Sequence, residues 1–559
     1  MNVMKNKVWL KSYPKDYKSE IFFDEEESFF DYLYQTNLDF DNNNPAVTCL
    51  DRTLSYSELW DEVNIMVTFL KRRFGLKKGS IISIMLPNSI QFIVTYLACL
   101  KIGAIINTIN PLYTERELEY QLKDSQSRTI IILDFMIGKL DNVIKKTKIN
   151  SVIVVSLSDY MPFWKRPLFF QIMKKQGNIV PKVYNFEYDL YREIILKVKD
   201  LALFPKININ LDDTVLLQYT GGTTGVPKGA ELTHRNLISN IKQIENVLES
   251  NLEYGKEIML GILPLYHIFA MSTSFFAMIK IRAHIVLLPK PIPLDVTVKA
   301  IKKYKPTAFV GINTLFNGLN QREDFKSIQN YSFKCVVAGG MTLQKAVADE
   351  WFRITGSKIK EGYGLTEASP VTHINPLQID PKENSIGLPV ASTLAKIVNE
   401  KGLEVKVGEI GELIVSGPQI MKGYWNKKEE TEKIIQDGWL YTGDLAYMDN
   451  KGYFFIVDRK KDMIIVSGFN VYPTEIEQVL VEIPDILEAG VIGIPSDKTG
   501  ETIKAYLVAK EGKTLDIEEI KKYCYQHLSR YKVPKEFEII SELPKTNVGK
   551  ILRRELRNL

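Results

Sequence analysis

An α/β protein in two unequal parts is predicted by three features of this 559-residue chain. Short β-branched runs alternate with longer helix-like segments from Ile81 to about Asp458. Many of those runs are apolar throughout, and after Val457 the pattern breaks at a charged knot before a shorter series of elements begins. A chain this long exceeds what one hydrophobic core can organise, so two or more domains are expected.

In the first part, Ile130–Leu133, Val152–Val155, Val215–Leu217 and Cys335–Val337 read as strands. A strand with apolar residues on both faces needs helices on both sides, so stacked parallel or mixed sheets carrying helices are expected. The knot Asp458–Asp462 is the natural hinge. Behind it come the run Met463–Val466, a loop Ser467–Asn470 and a helix opened by Pro473, a residue favoured at the first helical position because its missing N–H has no partner there. Ile476, Val479, Leu480 and Ile483 form one apolar face of that helix. Strands at Ala489–Ile494, Ile503–Val508 and Phe537–Ile540, with a helix from Leu515 to Leu528, complete a unit of about 100 residues that can fold alone. The expected division is 1–457, a hinge at 458–462, and a small mobile α+β domain at 463–559.

Composition excludes several functions. The apolar share is 45%, and 72 Lys and Arg against 67 acidic residues give a net charge of +5 spread along the chain. No basic block, zinc-finger spacing or aromatic RNA-binding signature points to nucleic acid. Cys49, Cys99, Cys335 and Cys524 lie far apart and read as core thiols in a reducing compartment. The N-terminus has no apolar h-region, so a cytoplasmic location is expected. The most apolar stretch, Ile81–Asn110, is interrupted by Pro87, Asn88, Ser89, Gln91 and Lys101, short of the roughly 20 residues of a membrane span, and reads as core. At Tyr160–Lys175, aromatics interleave with Lys165, Arg166, Lys174 and Lys175, a mixture suited either to a lipid interface or to a surface helix packing its aromatic face on the body.

The most informative segment runs from Leu216 to Ala230, an apolar strand entering a loop of Thr220, Gly221, Gly222, Thr223, Thr224 and Gly225, followed by Lys228. Glycines let backbone N–H groups approach a polyphosphate, hydroxyls donate to its oxygens, and lysine adds charge. The combination suits ATP. It is not a Walker A loop, since Gly229 follows Lys228 where Ser or Thr is required.

With Tyr363–Glu367 (Tyr-Gly-Leu-Thr-Glu), Tyr441–Asp444 (Tyr-Thr-Gly-Asp), the block Asp458–Pro473 and Pro544–Lys550 following in order, the chain resembles the AMP-forming acyl-CoA synthetases of the adenylate-forming superfamily. That group also contains luciferases and the adenylation domains of peptide synthetases. The wording at Tyr219–Gly222, Leu263–Ala270 and Asp458–Pro473 is most similar to bacterial long-chain fatty acid CoA ligases.

The resemblance implies a reaction of fatty acid, ATP and coenzyme A with Mg2+, in which the carboxylate attacks the α-phosphate. Charge building on that phosphorus needs donors and cations already in place. The family pattern gives Thr220–Lys228 the outgoing pyrophosphate, Thr366 the α-phosphate and Glu367 the magnesium. It gives Asp444 the ribose hydroxyls with Arg459 close by, and places adenine on Tyr363, Gly364, Gly339 and Gly340. Lys550, after Gly549, is implied as the catalytic cation of adenylation, and Lys461 as the pivot of a domain swing. After that swing Ser467, Gly468 and Phe469 would line the coenzyme A channel. His267 and Met271 are assigned to the acyl pocket, whose Phe and Met content suits an alkyl chain as well as it suits plain core packing. Peripheral contact with the inner membrane and a homodimer are compatible arrangements that the sequence leaves open. Two alternatives stand beside this expectation: a ligase loading a carrier protein or another thiol, including one for medium-chain or aryl acids, and a non-catalytic binding protein. The second is disfavoured because Lys228, Glu367, Asp444, Arg459 and Lys550 are all present.

Overall fold

A computed structural model describes residues 7–38, 41–50, 52–177, 180, 185–202, 204–220, 227–290, 293–328, 331–496, 498–546 and 549–559. Among them four sheets form. The largest runs in the order Leu388–Pro389, Val371–Ile374, Lys360–Gly364, Cys335–Ala338, Ala308–Gly311, Ile258–Gly261, His284–Leu287, Pro45–Cys49 and Arg52–Ser55. Its centre is parallel and its two edges are antiparallel. The second runs Gly423–Tyr424, Lys228–Thr233, Thr214–Thr220, Ile105–Thr108, Ile81–Met85, Thr129–Leu133, Ser151–Val155 and Asp189–Leu190.

The apolar runs read as two-sided strands are these parallel strands: Thr129–Leu133 and Cys335–Ala338 are buried at every position. The stretch from Ile81 folds as strand, helix and strand, and in the helix Ile90–Ile102 every residue but Lys101 is buried. It is core. No helix among the described residues is long and apolar enough to cross a membrane. All four cysteines are free and buried.

A third sheet, built on Leu394–Val398, Gly411–Ser416, Ile435–Gln436 and the long strand Trp439–Met448, ends with Phe454–Arg459. Asp458 and Arg459 are the last residues of that final strand, and the chain turns over Lys460–Met463, where the Asp462 and Met463 N–H groups donate to the Arg459 carbonyl. Beyond the turn lies a separate core of Ile464, Val471, Ile476, Leu480, Ile503, Leu507 and Cys524. It joins the fourth sheet, of Ile464–Val466, Phe469–Val471, Ile486–Ser496, Gly500–Ala509 and Glu536–Ile539, to helices Pro473–Val481 and Ile517–His527. Pro473 stands in the first turn of its helix, and Ile476 and Leu480 are buried while Val479 and Ile483 pack beside them.

The aromatic-basic segment divides its two readings. Phe169 and Phe170 lie against Phe135, with ring centres 6.5 Å away in each pair. Phe163, Trp164, Leu168 and Ile172 are exposed, and the helix Arg166–Lys175 contributes no buried residue.

Candidate active site

The strand Lys360–Gly364 delivers Tyr363 toward the long strand that carries Asp444. The Tyr363 hydroxyl donates to Asp444 Oδ2 at 2.6 Å, and Arg459, cross-strand from Asp444, places Nε 3.3 Å from Oδ1. The Tyr441–Asp444 motif is therefore a kink within a strand: Gly443 has φ +72°, the Asp444 N–H donates to Thr442 Oγ1, and the Gly443 carbonyl accepts from the Lys460 N–H. This bend turns the buried Asp444 carboxylate toward Tyr363. Carboxylate, phenol and guanidinium form one polar wall.

Lys550 approaches that wall from the small domain. Its loop is pinned on itself, with the Thr546 N–H donating to the Lys550 carbonyl at 2.7 Å and the Lys550 N–H donating to Thr546 Oγ1 at 3.1 Å. Burial, then the nearby Arg459 charge, lowers the Lys550 ammonium to about 8, while Asp444 pulls the other way. The Lys550 ammonium is thus within electrostatic reach of both Arg459 and Asp444. Gly549 explains how the loop reaches it: φ is +79°, and a Cβ there would lie 2.5 Å from Ile312 Cδ1 and 3.0 Å from Thr314 Oγ1. Only a residue without a side chain fits both the left-handed conformation and the close approach to the large domain.

On the phosphate side, Thr220 and Lys228 pair across the antiparallel strands that flank the loop. Gly221, Gly222, Thr223, Thr224 and Gly225, expected to hold pyrophosphate, lie outside the described residues. The Lys228 ammonium pairs with Glu430 and lies 5.3 Å from the centre of the Tyr424 ring. The short helix Thr366–Ala368 presents Glu367, whose Oε1 accepts the Tyr424 hydroxyl at 2.6 Å and whose carbonyl accepts the Met421 N–H. Gly364 must lack a side chain because a Cβ would collide with the Pro370 carbonyl. No group of three or more His, Cys, Asp or Glu side chains that could hold a metal occurs among the described residues. The donor set here is one carboxylate, Glu367, which fits an ion completing its shell with phosphate oxygens and water.

His267 caps the turn Ile268–Ala270, its Nδ1 accepting the Phe269 N–H at 3.3 Å. Burial lowers its imidazole to about 4, so it is neutral near pH 7 and unsuited to donating a proton. A π-helical turn, Met271–Phe276, follows directly, with Met271 fully buried; such turns are frequent at functional sites. Phe269 packs over Gly339, where a Cβ would lie 2.8 Å from the ring, and Gly340 has φ +78°. The histidine turn thus abuts the segment expected to face adenine.

Ser467, Gly468 and Phe469 are not brought to the Asp444 pocket. Ser467 and Gly468, with φ +52° and +83°, form the two-residue turn of a hairpin, the geometry that favours glycine. Phe469 is exposed and stacks on Tyr531 at 4.8 Å. Lys461 is exposed on the turn between the two domains. Tyr424, Glu430 and Arg553 were missed by sequence reasoning. Arg553 pairs with Glu477 at 2.7 Å, Asp458 at 3.3 Å and Asp462 at 3.4 Å, tying the Lys550 segment to both sides of the turn.

Family models describing an AMP-binding enzyme and an AMP-binding enzyme C-terminal domain match residues 35–425 and 475–550. The chain belongs to the AMP-binding enzyme family. It is 41% identical over 552 residues to a long-chain-fatty-acid–CoA ligase of Salmonella typhimurium, covering 99% of this chain and 98% of that protein. It is 40% identical over 555 residues to the Bacillus subtilis enzyme of the same name, covering 98% and 97%. ATP-bound MatB from Rhodopseudomonas palustris shares its structure with a TM-score of 0.82 at 26% identity, over 95% of this chain and 98% of that one. The fold recurs in the anthranilate CoA ligase AuaEII, with a TM-score of 0.83 at 24% identity over 96% and 98%.

Proposed function

We propose that the protein converts a long-chain fatty acid, ATP and coenzyme A into acyl-CoA, AMP and pyrophosphate through an acyl-adenylate. The observation that carries the proposal is Lys550, delivered by the small domain into the pocket of Asp444, Arg459 and Tyr363. The 40–41% identity to long-chain-fatty-acid–CoA ligases over nearly the whole chain supports the choice of substrates.

In the first half-reaction a carboxylate oxygen bonds to the α-phosphorus while the bond to pyrophosphate breaks. Lys550 meets the charge that both partners share, Thr366 donates to the α-phosphate, and Lys228 with Thr220 and the glycine loop holds the departing pyrophosphate. Asp444 accepts from the ribose hydroxyls, and Tyr363 offers a face to adenine between Gly339, Gly340 and Gly364. Glu367 would hold Mg2+, which would supply charge neutralisation at the phosphates. His267 and Met271 line the acyl pocket, where each buried methylene contributes about 0.8 kcal/mol.

In the second half-reaction the thiol sulfur bonds to the acyl carbonyl carbon, AMP leaves, and the thiol proton is lost. Residues 463–559 turn about Lys461, withdraw Lys550 and bring Ser467, Gly468 and Phe469 to the thiol's path, a hinge motion. This arrangement suits the first half-reaction, because Lys550 is within electrostatic reach of Asp444 and Arg459 while Phe469 is exposed and stacks on Tyr531.

A cytoplasmic location suits its four free, buried cysteines, which a reducing compartment keeps as thiols. Peripheral contact with the membrane face is supported by exposed Phe163, Trp164, Leu168 and Ile172 beside Lys165, Lys174 and Lys175. Co-sedimentation with anionic vesicles tests it, and loss of that binding in Trp164→Ser is expected. The function is tested by pyrophosphate release across acids of graded chain length, followed by thioester formation from supplied acyl-AMP. Long-chain acids with coenzyme A are expected to be preferred. Thioester formation only on a carrier's phosphopantetheine arm would overturn the acceptor, and no pyrophosphate exchange with any acid would overturn the reaction.

A further inference from the structure

The polyphosphate cradle contains an anion that the reaction outlined above does not use. Lys228 opens the strand Lys228–Thr233, and its ammonium is engaged by Glu430 of the helix Lys428–Ile434. That helix contributes no buried side chain, so Glu430 serves no core. Its other cation is Lys433, one turn along at 2.5 Å. Hydrogen bonds from Lys228 first and Lys433 second hold the Glu430 carboxyl down at about 2, so it is ionised across the working pH range. The two partners differ in access: the Lys228 side chain is 17% exposed and the Glu430 side chain 34%.

The segment carrying Glu430 is fastened to the rest of the cradle. The Tyr424 N–H donates to Thr431 Oγ1 at 2.8 Å, Gly423 and Tyr424 pair with Glu231 and Ala230 on the Lys228 strand, and the Trp425 N–H donates to the Gly229 carbonyl. Glu430 is thereby held against the same ammonium that a pyrophosphate oxygen would need. A lysine is a compact point charge, and carboxylate and phosphate compete for it directly. Glu430 can leave at little cost, because it sits nearer to solvent and keeps Lys433.

We propose that Glu430 is an internal anion that occupies Lys228 in the nucleotide-free protein, yields it to the pyrophosphate end of ATP, and reclaims it as pyrophosphate departs. This makes Glu430 a positioning residue that sets the affinity of the cradle for pyrophosphate. The inference rests on the pyrophosphate role given to Lys228 above.

The test titrates inorganic pyrophosphate into the full-length protein by calorimetry, and in parallel measures pyrophosphate inhibition of acyl-adenylate formation. Glu430→Gln keeps the shape and removes the charge. It is expected to tighten pyrophosphate binding roughly two- to five-fold, the span of a partly exposed ion pair. The gain should shrink as salt rises, because such a pair is screened. Lys433→Gln, which leaves Glu430 to Lys228 alone, is expected to weaken binding, and opposite signs from two substitutions on one exposed helix exclude a general structural effect. Unchanged or weaker pyrophosphate binding in Glu430→Gln, with wild-type binding intact, overturns the proposal alone. Absence of pyrophosphate binding to the wild-type protein overturns the role of Lys228 and this inference with it.

Discussion

Replacing Gly549 with alanine tests whether the docked position of Lys550 limits adenylation. Two effects separate cleanly. The left-handed φ of +79° costs an alanine about 1–2 kcal/mol in the loop wherever the small domain sits, and should appear as a modest loss of thermal stability. The second effect exists only in the docked state, where the new Cβ would lie 2.5 Å from Ile312 Cδ1 and 3.0 Å from Thr314 Oγ1. Ile312 Cδ1 is the end of a side chain that can yield part of the way, so overpacking of about 1–2 kcal/mol is expected. If docking precedes chemistry, this lowers the adenylation rate about five- to thirty-fold. The assay compares fatty-acid-dependent pyrophosphate exchange with conversion of supplied acyl-AMP to acyl-CoA, and a melting curve monitors the first effect. The second half-reaction should stay near wild-type. Equal loss in both halves, or exchange at the wild-type rate, would show that docking of the Lys550 loop does not limit adenylation.

Lys550→Ala should abolish most acyl-AMP formation and leave thioester formation from supplied acyl-AMP largely intact. In the wild-type protein, kcat/KM for adenylation should fall as pH rises through about 8, where Lys550 loses its proton, with no matching limb in the second half-reaction. The sign for stability is opposite: Lys550 is lowered from its ordinary value, so the docked protein sheds the cost of a buried ammonium as pH climbs past about 8. Lys461→Pro, which fixes φ at the turn, should slow thioester formation more than adenylation in the same paired assay, and equal rates would remove Lys461 as the pivot. Arg553→Met leaves Asp458, Asp462 and Glu477 without their shared cation and should destabilise the small domain by about 3–5 kcal/mol, read by urea denaturation.

Local chemistry made much of this protein legible from its residues in order. Strands such as Thr129–Leu133 announced themselves because burial on both faces demands an unbroken apolar run, and Pro473 marked its helix because a first-turn position tolerates a missing N–H. The loop after Thr220 was readable as a phosphate loop from its glycines, threonines and lysine, and the motifs Tyr363–Glu367, Tyr441–Asp444, Asp458–Pro473 and Pro544–Lys550 implied an adenylating set through their resemblance to AMP-forming acyl-CoA synthetases. The partners of those residues were not readable, since they come from distant parts of the chain. Tyr424 reaches Glu367 across 57 residues, and Glu430 reaches Lys228 across 202. A tyrosine or glutamate in a polar stretch carries no local signal of such a meeting; pairing of the Gly423–Tyr424 strand with the Lys228 strand creates it. Gly549 shows the same division. Its sequence neighbours permit a tight turn, but only the docking of two separately cored domains decides that Ile312 and Thr314 stand where its side chain would be, and hence that Lys550 comes within electrostatic reach of Asp444 and Arg459.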